Sequence, residues 1–146
     1  MAARQDRIIA FCCQHSAWRA AARATQEGLS LSAPVPVQLI PVPCSGRVSM
    51  ELILAALEKG AQGVMVLGCH PGACHHLYGS ERARERVAAV QQRLQAASLE
   101  PERVVFATLG PDSAADLARI LADFETSIMA PRSIHHGSPS PANGRK

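Results

Sequence analysis

The sequence predicts an α/β domain of three layers, helices on both faces of a four-stranded parallel sheet, and three observations predict it. Short apolar runs alternate four times with segments of helical period, the pattern of a parallel sheet closed by crossover helices. Two of the runs, Ile8-Ile9-Ala10-Phe11 and Val64-Met65-Val66-Leu67, are continuously apolar, as strands buried on both faces are. A third run carries Pro36, Pro41 and Pro43 in and around it, and proline is confined to sheet edges. With right-handed crossovers, these give the strand order 2-1-3-4, a flavodoxin-like or more broadly Rossmann-like arrangement.

Taken in order, Arg7 to Cys13 is the first strand, and an Ala-rich helix follows from about Ser16 to Glu27, ended by Gly28. Ser16 stands where an N-cap residue would, and its hydroxyl is expected to accept from an amide of the first turn. Val37 to Val42 is the second strand, left through the tight loop Pro43-Cys44-Ser45-Gly46-Arg47. Ser49 is expected to cap the next helix, Met50 to Lys59, with Glu51 in its first turn and Gly60 past its end. Gly63 to Leu67 is the third strand. Ser80 is expected to cap a helix from Glu81 to about Ala97, whose apolar face is Ala83, Val87, Val90, Leu94 and Ala97. Val104 to Leu109 is the fourth strand, and Ser113 opens a last helix with Ala114, Leu117, Leu121, Phe124 and Ile128 on one side. Residues 1–130 are thus expected to form one domain. From Pro131 the composition shifts to Ser, Pro, Gly, His and Lys, which cannot bury a core, so 131–146 is expected to be a disordered tail.

At 146 residues, 47% apolar but only 3% aromatic, the chain is long enough for a core of Val, Ile, Leu and Ala. The net charge of +3 is mild and its arginines are interleaved with glutamates, so no stripe for nucleic acid stands out. The polar stretch Met1 to Arg7 does not read as a signal peptide, and no segment approaches the roughly 20 apolar residues of a membrane helix. A cytoplasmic location is therefore expected. Five cysteines, an odd number in a reducing compartment, point to metal or redox use before a disulfide framework.

Ligands of such sheets sit beyond the carboxyl ends of the strands, where the strand order reverses. Here that point lies between the first and third strands. Cys13 ends the first, Cys69 ends the third, Cys44 leaves the neighbouring second, and Cys74 shares the loop of Cys69. Four thiols from distant positions are thereby brought toward one rim. Such a set is open to a zinc site, an iron–sulfur site, a redox dithiol or mere core packing. Structural zinc usually draws on two closely spaced ligand pairs, and only Cys69 and Cys74 form one. Thiolates spread over three strand ends suit a four-cysteine [2Fe–2S] centre better. Cys12 points opposite to Cys13 and reads as core.

Pro43-Cys44-Ser45-Gly46-Arg47 followed by an acid-led helix, then Gly68-Cys69-His70-Pro71-Gly72-x-Cys74-His75, resembles the delta subunit of methyl-viologen-reducing hydrogenase, a family of small iron–sulfur proteins associated with heterodisulfide reductases. The resemblance runs from about Arg7 to Phe124 and takes in Glu100-Pro101-Glu102-Arg103. It implies an electron-transfer subunit carrying a [2Fe–2S] cluster. The implied ligands are Cys13, Cys44, Cys69 and Cys74, with Cys12 in reserve. It further implies passage of electrons between a hydrogenase or formate dehydrogenase-type donor and a flavin-containing heterodisulfide reductase-like subunit. The family's C-x-x-C after the first strand departs here, because Ser16 occupies its second position; Trp18 stands where an aromatic is usual. His15, His70, His75 and His76 surround the site and read as solvated or hydrogen-bonded loop histidines. Arg47, His70 and His75 are candidates to donate toward cluster sulfurs from outside the ligand set. The rim with Arg47, His70 and Tyr78 is the expected docking face.

Two other readings belong to different classes. Cys13 to Arg19 fits the C-x5-R loop of low-molecular-weight phosphatases and related arsenate reductases, where a low-pKa thiolate faces an oxyanion cradle. That loop has no glycine, Ala20 follows the arginine, and Pro111-Asp112 only faintly echoes a general acid. The other is a zinc-stabilised interaction module without catalysis.

Overall fold

The four apolar runs pair side by side in a wholly parallel sheet of order β2-β1-β3-β4, formed by β1 (Ile8–Cys13), β2 (Val37–Val42), β3 (Gly63–Gly68) and β4 (Val104–Thr108). The computed structural model describes residues 6–29, 31, 35–74 and 77–129. The expected 131–146 tail lies outside the described residues. Helices α1 (Ala17–Gln26), α2 (Met50–Glu58), α3 (Gly79–Ala96) and α4 (Ala114–Met129) alternate with the strands, as the sequence predicts.

Strand alternation divides the core into two layers. Ile8, Ala10 and Cys12 of β1, with Met65 and Leu67 of β3, face α1 and α4 and pack on Ala17, Ala20, Ala21, Leu117, Leu121 and Phe124. Ile9, Phe11, Val64 and Val66 face the other way, onto Ile53 and Leu57 of α2 and Ala83, Val87, Val90 and Leu94 of α3. Of the expected helical faces, only Ala97, past the end of α3, and the partly buried Ile128 fall outside the buried set. β1 and β3 are buried along their whole length, whereas β2 is only half-buried. Pro41, opposite Cys12 in the register, has no N–H to give the ladder, which an edge strand tolerates.

Two side chains fix the sheet from outside. Arg103, buried at the end of a 3-10 turn over Pro101–Arg103, donates from Nη2 to Ala61 O at 2.7 Å and from Nε to Gln62 O at 3.1 Å, satisfying the carbonyls at the entry to β3. Glu125 of α4 accepts from the Val35 amide at 2.9 Å, tying the last helix to the segment that leads into β2.

The helix caps divide. Ser49 caps α2 as expected, its Oγ accepting from Leu52 N at 3.1 Å. Ser80 does not cap α3: the helix begins one residue earlier, at Gly79, and the buried Ser80 hydroxyl instead donates to Cys69 O at 2.6 Å. Ser16 occupies the N-cap position of α1, but its hydroxyl makes no cap hydrogen bond. Its backbone, at φ −139° and ψ −84°, is outside the extended conformation that aims a capping side chain at the first turn.

Candidate metal centre

The carboxyl ends of β1 and β3 are the topological switch point of the sheet, because the chain leaves them toward opposite faces. Cys13 closes β1 and Cys69 follows β3 directly, and their sulfurs stand 3.7 Å apart, both buried. Two thiolates on one tetrahedral metal ion with bonds of about 2.3 Å would stand about 3.8 Å apart. The pair therefore needs no rearrangement to share an ion.

Cys44 arrives from the edge strand. Pro43 ends β2, Cys44 is extended, and a 3-10 turn over Ser45–Arg47 folds back so that the Gly46 amide donates to Cys44 Sγ at 3.4 Å. Cys74 comes from the loop after β3, whose Pro71-Gly72 corner is closed by Ala73 N to His70 O at 3.0 Å and requires φ +82° at Gly72. The Cys44 thiol is pushed up from its ordinary range, chiefly by burial. The Gly46 amide opposes this, and the hydrogen-bonded Cys74 thiol and Cys13 add to it. Those interactions join all four cysteines in one cluster, arranged as a Cys13–Cys69 pair and a Cys44–Cys74 pair. Among the described residues, no three His, Cys, Asp or Glu side chains close around a single point that would hold one ion.

Cys12 stands apart. It is fully buried in the layer beneath α1 and α4, donates weakly to Ala10 O at 3.5 Å, and has a pKa pushed up to about 12 by burial first and by Cys13 second. It belongs to the core layer on the opposite face of β1 from Cys13, away from the other thiols.

The surrounding groups sort less simply. His70 is exposed and its Nδ1 is 3.0 Å from Thr108 Oγ1, bridging to the end of β4, a hydrogen-bonded loop histidine. His75 and His76 lie outside the described residues. Arg47 is exposed. The arginine that holds the Cys44 loop is instead Arg86 of α3, which donates to Gly46 O and, at 3.4 Å, to Val48 O. Two buried hydroxyls close in sequence to the thiols, Ser16 Oγ and Ser45 Oγ, have no hydrogen-bond partner among the described residues. A buried orphan hydroxyl costs about 1–3 kcal/mol. Ser16→Ala is therefore expected to leave the metal-free protein unchanged or about 1 kcal/mol more stable in urea unfolding; a loss of about 1 kcal/mol would restore the capping role.

The C-x5-R reading does not survive this geometry. Two of the amides that would cradle an oxyanion are occupied, Gln14 N by Val42 O at 2.8 Å and Ser16 N by Cys13 O at 3.1 Å. Arg19 is exposed on α1, and Asp112 is exposed and paired with Arg23 at 3.3 Å.

The donor set fits an iron–sulfur group: soft thiols only, paired at a tetrahedral edge, with the bare Cα of Gly79 and two orphan hydroxyls beside them. Fold and site together define a doubly wound α/β domain with a four-thiol cluster at its switch point. Residues 8–130 match the family described as methyl-viologen-reducing hydrogenase, delta subunit, and the chain belongs to it. It is 35% identical over 124 residues to an F420-non-reducing hydrogenase iron-sulfur subunit of Archaeoglobus profundus, covering 85% of this chain and 89% of that one. It is 39% identical over 97 residues to the vhu iron-sulfur subunit of the F420-non-reducing hydrogenase of Methanopyrus kandleri, covering 66% of this chain and 72% of that one. A third relative belongs to the Ferredoxin/F(420)H(2)-dependent CoB-CoM heterodisulfide reductase of Methanosarcina acetivorans. It is 35% identical over 98 residues, which are 66% of this chain but 12% of that polypeptide.

Proposed function

We propose that this chain is a cytoplasmic electron-transfer subunit carrying one [2Fe–2S] cluster on Cys13, Cys44, Cys69 and Cys74. The observation that carries the reading is the convergence of four thiols, from three strand ends and one loop, as two pairs at the switch point. Two pairs suit two irons, each taking two thiolates, better than a single zinc ion. Relatives named as iron–sulfur subunits support the cofactor class. When bound, such a group accepts and returns one electron. The protein's part is to hold it dry on the strand side, at Cys13 and Cys69, and to leave the Cys74 side approachable.

The partners proposed are a hydrogenase or formate dehydrogenase-type donor and a flavin-containing heterodisulfide reductase-like subunit. The second is supported by the heterodisulfide reductase relative, in which the matching segment is a small part of one much longer polypeptide. A domain that is joined covalently to its partner in one protein has reason to dock on such a partner in another. No helix among the described residues is long and apolar enough to cross a membrane.

Iron, acid-labile sulfide and zinc are to be measured together on anaerobically purified protein. Two irons and two sulfides per chain are expected, with an EPR signal on reduction by dithionite. Stoichiometric zinc without sulfide would replace this reading with that of a zinc-stabilised module. Loading is also expected to weaken as pH falls, because burial keeps Cys44 protonated and a bound metal must displace that proton.

A further inference from the structure

Two cysteine sulfurs meet backbone at Gly79, the first residue of α3. A Cβ built there would collide with Cys44 Sγ and lie 3.2 Å from Cys74 Sγ. Gly79 is helical and not among the positive-φ glycines, so space rather than backbone conformation makes glycine necessary. The contact is matched from the other side, since a Cβ on Gly46 would stand 2.9 Å from the Cα of Gly79 and 3.2 Å from its carbonyl oxygen. Glycine thus packs on glycine, and the Cys44 loop lies directly on the first turn of an 18-residue helix. Arg86, two turns along the same helix, clamps that loop through Gly46 O and Val48 O.

The electrostatics follow from the packing. Tyr78 supplies no side-chain cap to α3, and among the described residues the groups lying against its first residue are the two sulfurs and the Gly46 backbone. The Gly46 amide adds a direct donor to Cys44 Sγ.

We propose that Gly79 is a positioning residue for the Cys44–Cys74 half of the centre: its missing side chain lets both sulfurs rest against the N-terminus of α3, the end of the site where added negative charge is best held. This rests on the iron–sulfur reading above.

The test uses the full chain, reconstituted anaerobically with ferrous iron and sulfide. Gly79→Ala is expected to hold less than half the iron of the unmodified chain, and the centre that does form should show shifted EPR g-values and a more negative midpoint potential. Gly110→Ala, whose new Cβ would meet only Ser113 Oγ at 3.4 Å, should load normally. A double-mutant cycle on the metal-free chain tests the contact itself. Gly79→Ala should lower the urea midpoint, and adding Cys44→Ala should restore most of the loss, because the colliding sulfur is gone. If Gly79→Ala alone does not fold, the double variant should. Full loading of Gly79→Ala with unchanged g-values and midpoint would overturn the proposal, as would additive effects in the cycle or a double variant that also fails to fold. An unmodified chain that takes up no iron–sulfur centre overturns the functional reading first, and the proposal with it.

Discussion

Cys69→Ala is expected to remove the visible absorption and the EPR signal of the reconstituted protein completely, whereas Cys12→Ala should retain both. Cys69 is held where β3 ends, its sulfur 3.7 Å from that of Cys13. Its own carbonyl is fixed by the Ser80 hydroxyl at 2.6 Å, so the backbone cannot slide to bring another donor into its place. The nearest spare thiol, Cys12, belongs to the opposite face of the sheet and keeps its proton to a pKa of about 12. It cannot substitute without turning β1 over, which would exchange Ile8 and Ala10 with the larger Ile9 and Phe11 between two closely packed core layers. Cys12→Ala should instead cost about 1 kcal/mol or less, the loss of one small buried group, and leave iron per chain unchanged. Iron, sulfide and urea midpoints on the two variants side by side decide the matter. Full cluster occupancy in Cys69→Ala would sink the ligand assignment.

The architecture and the thiol set were legible for the same reason: both are written in local periodicity. Continuous apolar runs become doubly buried strands, Pro36, Pro41 and Pro43 push another run to the edge, and the cysteines at the ends of three of the four runs land at one rim once the strand order is known. What sequence could not supply was anything decided across the fold. Ser80 reads locally as an N-cap before an acidic first turn, yet the carbonyl of Cys69, eleven residues earlier, takes its hydroxyl. Ser16 reads as a cap before an Ala-rich helix, but the turn out of β1 leaves its hydroxyl buried and without a partner among the described residues. Arg86 looks like any arginine on the polar side of a helix; its role comes from a loop forty residues away that happens to lie beneath it. Arg47, the arginine inside the cysteine motif, is near the thiols in sequence and yet exposed. Gly79 sits where a helix would ordinarily start, and only the positions of Cys44 and Cys74 show that its lack of a side chain is needed.

Tyr78→Ala, alone and with Leu77→Asp, is expected to weaken binding of the heterodisulfide reductase-type partner by about 30-fold or more, the scale of losing a buried aromatic anchor worth at least about 2 kcal/mol. Leu77 is 75% exposed and Tyr78 60%, two large apolar side chains side by side next to the half-buried Cys74. Leu77 is held there in the left-handed conformation, at φ +60°, by its amide's hydrogen bond to Cys74 O at 3.1 Å. A non-glycine residue pays for that backbone in strain, and the strain is tolerable where function fixes the loop. β1, β3 and the first turn of α3 pack against the thiols, and Leu77 and Tyr78 are the large apolar side chains exposed beside Cys74, which makes them the anchors expected for a docking partner. Leu99 makes the control: it is a surface leucine beyond the far end of α3, about 27 Å of helix away, and Leu99→Ala should leave binding unchanged. Dissociation constants measured anaerobically against the partner co-purified from the native host give the comparison. An unaltered EPR spectrum in each variant would show that the centre itself is intact. Binding within threefold of the unmodified chain in the Leu77→Asp/Tyr78→Ala double variant would place the docking face elsewhere.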